Sequence, residues 1–135
     1  MEEKKFKILI VEDDEISRTL YKHILKNYDL SYCDSDKSMY NKLAEDKYQL
    51  IIMDIGLANS KDGLELIKEL KSDKNFQGIP IICATSYDFF DQKTNALKAG
   101  ADEYLSKPIS KNLLISTIEK YSNDQNIAFS SEDER

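Results

Sequence analysis

The stretch Ile8-Leu9-Ile10-Val11-Glu12-Asp13-Asp14 joins a continuous apolar run to three consecutive acids. A short run that is apolar at every position is typical of a strand covered on both faces, as in a parallel sheet. Counted from its first apolar residue, this run is one of five along the chain: Phe6–Val11, Leu30–Cys33, Leu50–Met53, Ile79–Ala84 and Tyr104–Leu105. We therefore expect five strands.

Amphipathic segments separate the apolar runs. The first and last of them show the helical spacing most clearly, at Ile16, Leu20 and Ile24 and at Leu114, Ile118 and Tyr121. Asp36 and Ser110 are suited to cap helix starts, and Gly100 is suited to end a helix in a left-handed conformation. The alternation predicts an α/β protein, a (βα)5 doubly wound parallel sheet with helices on both faces.

Size and charge restrict the possible functions. The 135 residues fit one domain, and we expect neither a membrane span nor a signal peptide. A net charge of −6 argues against direct binding of nucleic acid. Cys33 and Cys83 lie inside apolar runs, as expected for reduced thiols of a cytoplasmic protein. We divide the chain into a domain over residues 1–121 and an acidic, flexible tail over residues 122–135.

Polar side chains follow the strands at the edge where ligands bind in such a sheet, beyond the carboxyl ends. Glu12 and Asp13 follow the first run, Asp54 follows the third, and Thr85 and Lys107 follow the fourth and fifth. Carboxylates that converge there would repel by about 3 kcal/mol per pair at about 5 Å and an effective dielectric of about 20. The hard oxygen donors favour Mg²⁺ as the ion that offsets this repulsion. Asp54 then suits the role of nucleophile in phosphoryl transfer.

Five motifs follow one another along the chain: Ile8–Asp14, Leu50–Asp54, Asp62-Gly63, Pro80–Ser86 and Gly100–Pro108. With them, residues 6 to about 121 resemble a receiver domain of the bacterial-type two-component response regulators. The nearest analogy is the small single-domain, chemotaxis-type receiver. The resemblance implies a flavodoxin-like strand order of 2-1-3-4-5 and a cis peptide bond between Lys107 and Pro108.

The resemblance also implies roles for the acids. Asp54 resembles the phosphoacceptor of the family. Asp13 resembles the direct Mg²⁺ ligand, and Glu12 would act on the ion through water. The backbone carbonyl of Gly56 would be a further ligand of the metal.

The remaining site residues resemble those that respond to phosphorylation. Lys107 would pair with the phosphoryl group, and Thr85 would hydrogen-bond to it. Tyr104 would then turn inward as the switch aromatic. The implied donor is a histidine kinase or histidine phosphotransfer protein, and a downstream protein would dock on the face formed by residues 89–121. Such a chain is a signalling switch rather than a turnover enzyme, and a homodimer formed on phosphorylation remains open.

The sequence departs from the family pattern in one loop. Ala58 stands where a proline is common, and the loop before Asp62 is one residue longer than usual. An aspartyl phosphatase would carry a second Asp, as general acid, where Gly56 stands. A flavin carrier would need a phosphate-binding loop where the acids after the first strand stand. Two alternatives stay open: a receiver fragment of a hybrid sensor kinase, and a docking module of the same fold that works without phosphorylation.

Overall fold

The computed structural model describes residues 5–57, 61–86 and 91–134, with side chains described as far as residue 122. Strands and helices alternate along the chain. The strands are β1 (Lys7–Val11), β2 (Asp29–Cys33), β3 (Leu50–Met53), β4 (Ile81–Thr85) and β5 (Glu103–Ser106). The helices are α1 (Glu15–Ile24), α2 (Asp36–Glu45), α3 (Gly63–Ser72), α4 (Gln92–Ala99) and α5 (Lys111–Glu134). All strand pairs are parallel, in the order β2-β1-β3-β4-β5, which confirms the predicted fold.

Each central strand divides its side chains between two apolar cores, because successive residues point to opposite faces of a sheet. In β1, Leu9 and Val11 join one core, and Ile8 and Ile10 join the other. The first core is closed by α2, α3 and α4. The second is closed by α1 and α5, and we call that side of the sheet the α1/α5 face; its helical members include Tyr21, Ile24, Leu114 and Ile118.

The helix ends correct one prediction. Ser35, not Asp36, is the N-cap of α2: its backbone is extended and its Oγ accepts a hydrogen bond from the Ser38 amide at 3.2 Å. Asp36 is the first helical residue, and the amide three positions after it, that of Met39, already donates to the Ser35 carbonyl at 2.9 Å. The other two predicted ends are confirmed. The Ser110 Oγ accepts from the Leu113 amide at 3.3 Å, and Gly100 ends α4 with φ at 120°.

Helix α5 continues past the predicted domain boundary at residue 121. Its helical backbone runs to Glu134. No glycine or proline stands between residues 109 and 135, so no residue of the segment interrupts the helical hydrogen bonds. The side chains of residues 123–134 lie outside the description, and the division into domain and flexible acidic tail stays a prediction.

Other expectations from the sequence concern the peptide bond before Pro108, the two cysteines and membrane-spanning helices. The Lys107–Pro108 peptide bond is cis, as the resemblance implied. Cys33 and Cys83 are free and buried, and burial raises the pKa of both thiols to about 12. No helix of the described ranges is both long and apolar enough to cross a membrane. Ala58 and the first two residues of the predicted docking face, 89 and 90, lie outside the described residues.

Gly63 lies where α3 meets the end of β3. Its amide donates a hydrogen bond to the Ile55 carbonyl at 3.0 Å. A Cβ atom at this position would lie 2.4 Å from the backbone oxygen of Asp54 and 2.7 Å from the Ile55 Cα. Both contacts are with backbone, which cannot turn aside as a flexible side chain can. The absence of a side chain at Gly63 therefore permits α3 to start directly against the residue that follows β3.

We expect Gly63→Ala to lower the free energy of unfolding by about 1–3 kcal/mol, because the added methyl overpacks the backbone of Asp54. The matched control is Gly78→Ala, since a Cβ there meets no atom within 4 Å. This control should leave stability unchanged or raise it by up to about 1 kcal/mol. Urea unfolding followed by circular dichroism measures both. Equal effects of the two substitutions would contradict the steric account.

Candidate functional site

Three carboxylates meet at the carboxyl end of the sheet. The register pairs Val11 with Met53, so Glu12 and Asp54 leave neighbouring strands side by side. The Asp54 amide donates to the Val11 carbonyl at 3.0 Å, which extends the pairing by one step. Glu12, Asp13 and Asp54 each offer one carboxylate oxygen, and these three atoms lie within 4.8 Å of one another. The structure therefore brings together the three acids that the sequence singled out.

Lys107 reaches this cluster from the loop after β5. Its ammonium nitrogen Nζ lies 2.5 Å from Glu12 Oε1 and 3.9 Å from Asp54 Oδ2. It also lies 3.2 Å from the Ser17 hydroxyl on α1. The Lys107 amide donates to the Thr85 carbonyl at 2.9 Å, which fixes the start of the loop against the end of β4. The Lys107 ammonium thus connects α1 with the residues that follow β1 and β3, and it offsets part of the negative charge of the acids.

Glu12 is the most deeply buried of these acids, with 1% of its surface exposed. Burial raises the pKa of its carboxyl to about 7; the Lys107 hydrogen bond opposes this shift, and the Asp54 carboxylate adds to it. The Glu12 Oε2 also accepts a hydrogen bond from the Asp14 amide at 3.2 Å. A buried carboxylate with so few donors depends on Lys107 to remain charged.

The start of α1 ties the backbone of the acidic stretch in place. Asp14 is the N-cap, and its Oδ2 accepts from the Ser17 amide and hydroxyl, both at 2.9 Å. Those bonds lower the pKa of the Asp14 carboxyl. Arg18 Nε donates to the Glu12 carbonyl at 2.6 Å. Sequence reasoning missed Ser17 and Arg18 as site residues, although the spacing of Asp14 and Ser17 is a recognisable cap signal.

Asp54 combines burial with access to the rim. It is 8% exposed, and its Oδ1 accepts a hydrogen bond from the Gly56 amide at 3.1 Å. Thr85 ends β4 and is fully buried. Tyr104 is half-buried on β5, in register with Cys83, and its ring packs against the core that α2, α3 and α4 close. The structure places Tyr104 two residues before Ser106, which is the register partner of Thr85.

Tyr21 is a buried site neighbour that the sequence did not reveal. It lies on α1, is 1% exposed, and its hydroxyl has no hydrogen-bond partner among the described residues. A buried hydroxyl without a partner costs about 1–3 kcal/mol. Burial, followed by the charges of Glu12 and Asp54, raises the pKa of the phenol far above its usual range. The hydroxyl therefore stays protonated and remains a hydrogen-bond donor.

The donor set fits a hard divalent cation. Glu12, Asp13 and Asp54 offer only oxygen atoms, and no histidine or cysteine belongs to the cluster. Mg²⁺ prefers such ligands and binds with one or two carboxylates while keeping several waters. The half-buried Gly56, two residues beyond Asp54, belongs to the same rim. The chemistry of these residues is therefore compatible with Mg²⁺.

Comparison with known proteins identifies the family of this chain. The family model described as the response regulator receiver domain matches residues 8–119. The polar-differentiation response regulator DivK of Brucella ovis is 32% identical over 119 residues, which cover 87% of this chain and 96% of DivK. DivK of Brucella anthropi is 31% identical over the same coverage. The chain therefore belongs to the response regulator receiver domain family, whose members are signalling switches of two-component systems.

Solved structures support the same fold. The receiver domain of sensor histidine kinase PA1611 from Pseudomonas aeruginosa PAO1 is 25% identical, with a TM-score of 0.77 and coverage of 88% of this chain and 98% of that one. That structure has a magnesium ion coordinated in its active site cleft. The chemotaxis protein CheY4 of Vibrio cholerae is 22% identical, with a TM-score of 0.78 over 87% of this chain and 98% of that one. At this identity CheY4 supports the fold alone.

We expect Asp54→Asn to raise the free energy of unfolding by about 1–3 kcal/mol in EDTA, because it removes one of the crowded charges. Asparagine keeps the Oδ1 acceptor for the Gly56 amide. Adding Mg²⁺ should stabilise the wild type more than the variant, since the ion binds the folded state through these carboxylates.

Asp73→Asn is the matched control for this comparison. Asp73 lies at the far end of α3, and its Oδ1 accepts from the Asn75 amide, a bond that asparagine keeps. The control should change stability by less than about 0.5 kcal/mol, with or without Mg²⁺. Denaturant titrations measure the free energy of unfolding of the wild type and of both variants, with and without Mg²⁺. A wild type that gains no stability from Mg²⁺, or a variant less stable than wild type in EDTA, would contradict the electrostatic account.

Proposed function

We propose that this chain is a phosphorylation-controlled switch or phosphorelay intermediate of a two-component system. It accepts a phosphoryl group onto Asp54 from the phosphohistidine of a histidine kinase or histidine phosphotransfer protein. The observation that carries the proposal is the grouping of a nearly buried Asp54 with Glu12 and Asp13 inside 4.8 Å and Lys107 at 3.9 Å. A lone carboxylate at the end of a strand would carry no such inference.

Four residues would hold Mg²⁺ in this proposal. Asp13 and Asp54 would bind through their carboxylates, Gly56 through its backbone carbonyl, and Glu12 through water. When bound, the ion neutralises the carboxylates and the incoming phosphoryl oxygens, so that two anionic groups can approach each other. Burial of Glu12 and Asp54 supports this assignment, because a charge removed from water gains most from a counter-ion.

The transfer step uses the Asp54 carboxylate as nucleophile. A carboxylate oxygen forms a bond to phosphorus while the phosphorus–nitrogen bond of the donor's phosphohistidine breaks, and the bonding pair stays on the imidazole nitrogen. The product is an aspartyl phosphate. The Gly56 amide, which donates to Asp54 Oδ1, orients the carboxylate so that Oδ2 faces the Lys107 side of the rim. The chain thereby promotes its own phosphorylation without turning over a substrate.

Three side chains respond to phosphorylation in this proposal: Lys107, Thr85 and Tyr104. Lys107 pairs with the phosphoryl oxygens, and the Thr85 hydroxyl hydrogen-bonds to them. Movement of Thr85 makes room for the Tyr104 ring to turn inward on the neighbouring strand. The ring and loop change together, so a local charge alters a larger surface.

The surface that changes is proposed as the docking site of a downstream protein. It is the face formed by residues 89–121, of which residues 91–121 are described. The same reasoning holds for a free-standing chain and for a receiver fragment of a longer sensor kinase. We further propose a cytoplasmic location, because the two cysteines are reduced and buried.

We expect wild-type protein incubated with acetyl phosphate and Mg²⁺ to gain the mass of one phosphoryl group. Asp54→Ala should gain none, because the nucleophile is gone, whereas the control Asp73→Asn should gain it as wild type does. Intact-protein mass spectrometry, with an EDTA-treated sample alongside, makes the measurement. An adduct that survives Asp54→Ala, or none from acetyl phosphate or phosphoramidate, would refute phosphorylation at Asp54.

Beryllofluoride, a stable mimic of the phosphoryl group, tests the switch and its docking face. With Mg²⁺ it should shift backbone amide resonances of α4, β5 and the start of α5 more than those of α2, which lies away from Thr85 and Tyr104. Two-dimensional NMR of the labelled chain measures this, with Asp54→Ala as the control that should not respond. Shifts confined to the residues adjoining the three acids would show that no signal reaches the face over residues 91–121.

A further inference from the structure

The hydroxyl of Tyr21 has no role in packing. The ring fills the core on the α1/α5 face, a task that phenylalanine performs with the same shape. The oxygen is buried without a partner, and the only other such side-chain atom in the described part of the chain is the Tyr32 hydroxyl. A buried unpaired donor in a native protein calls for an explanation, such as a role in another state of the molecule.

The position of Tyr21 suggests what that state is. Ile10 and Ile52 point to the α1/α5 face, so Glu12 and Asp54, two residues further along each strand, emerge on that same face. Tyr21 also lines a cavity of about 330 Å³ together with Ser17, Ser86, Lys107, Pro108 and Ile109. A water molecule takes up about 30 Å³, so this space admits bridging water beside the lysine.

After phosphorylation, Glu12 and the phosphoryl group on Asp54 would compete for the Lys107 ammonium. In the structure described here its ammonium group serves Glu12 at 2.5 Å and stands 3.9 Å from Asp54. Pairing with a phosphoryl group on Asp54 draws the ammonium away from Glu12. Glu12, 1% exposed, then keeps the 3.2 Å bond from the Asp14 amide to Oε2 and the Mg²⁺-bound water proposed above, but its Oε1 loses the ammonium. A donor that replaced the ammonium at this buried oxygen would stabilise the phosphorylated state.

We propose that the Tyr21 hydroxyl donates a hydrogen bond to Glu12, directly or through one water, when Lys107 turns to the phosphoryl group. Tyr21 is thus a positioning residue: it touches neither the phosphoryl group nor the donor, and acts by holding Glu12 in the phosphorylated state. The inference rests on the proposed function, since without phosphorylation at Asp54 Lys107 has no reason to leave Glu12.

The test compares Tyr21→Phe with Tyr32→Phe. Each substitution removes one buried, unpartnered hydroxyl, but Tyr32 lies on β2 beside Arg18, with its ring 5.9 Å from the guanidinium carbon. Isothermal calorimetry measures the affinity of each protein for Mg²⁺ alone and for beryllofluoride at saturating Mg²⁺. Tyr21→Phe should weaken beryllofluoride binding about fivefold, the loss of one hydrogen bond, and change Mg²⁺ affinity less than about twofold. Tyr32→Phe should change neither.

The outcomes separate the inference from the proposed function. If wild type binds beryllofluoride and Tyr21→Phe binds it equally well, or if both phenylalanine variants weaken alike, the role of Tyr21 is overturned and the switch stands. If wild type neither binds beryllofluoride nor forms the phosphoryl adduct, both fall together. Should Tyr21→Phe fail to fold, NMR of the wild type decides: the Tyr21 ring resonances should move with beryllofluoride but not with Mg²⁺ alone, and unchanged resonances would overturn the proposal.

Discussion

Repulsion among Glu12, Asp13 and Asp54 is the constraint that organises the rim of this sheet. One carboxylate oxygen from each lies within 4.8 Å of those of the other two, and the backbone register between β1 and β3 sets Glu12 and Asp54 side by side. Each pair at such a distance costs about 3 kcal/mol at an intermediate dielectric, a large fraction of the stability of a small domain. The folded chain meets this cost with the Lys107 ammonium, and a bound dication would offset more of it.

The two apolar cores make this crowding sustainable. Side chains of β1, β3 and β4 alternate between a core closed by α2, α3 and α4 and one closed by α1 and α5. Strands held from both sides cannot spread apart to relieve the acids. Because the cores are closely packed, they hold the strands, and with them the charged side chains, in fixed positions. Nucleophilic and metal chemistry both require such fixed positions.

Lys107 connects the resting site to the proposed active one. Its ammonium lies closer to Glu12 than to Asp54. In the unphosphorylated protein, Lys107 therefore pairs mainly with the acid that is not the proposed phosphoacceptor. A phosphoryl group on Asp54 would compete for the same ammonium. Lys107 would then have two alternative positions, one beside Glu12 and one beside the phosphoryl group. The fold alone does not imply such behaviour, because doubly wound sheets support many functions, and the inference comes from the site.

Much of this architecture could be read from local patterns. Five apolar runs and the helical spacing between them predict the alternating strands and helices, and the residues that follow runs one, three, four and five mark the rim. The resemblance to receiver domains added the strand order and the cis bond before Pro108. These features follow from short-range periodicity and from motifs of a few residues, which a linear sequence displays directly.

Other features depend on contacts between residues far apart in the chain. The choice of Glu12 over Asp54 as partner of Lys107 depends on where the loop after β5 crosses the sheet, 95 residues from Glu12. The unpartnered hydroxyl of Tyr21 appears only when α1 packs on the sheet, and the need for Gly63 only when α3 meets the backbone of Asp54. Ser35 displaced Asp36 as the cap of α2 because backbone conformation, which composition does not reveal, selects between neighbouring polar residues. Sequence patterns thus predicted which groups would gather at this edge, whereas three-dimensional packing set which of them touch, since pairwise distances arise from the folded path of the whole chain.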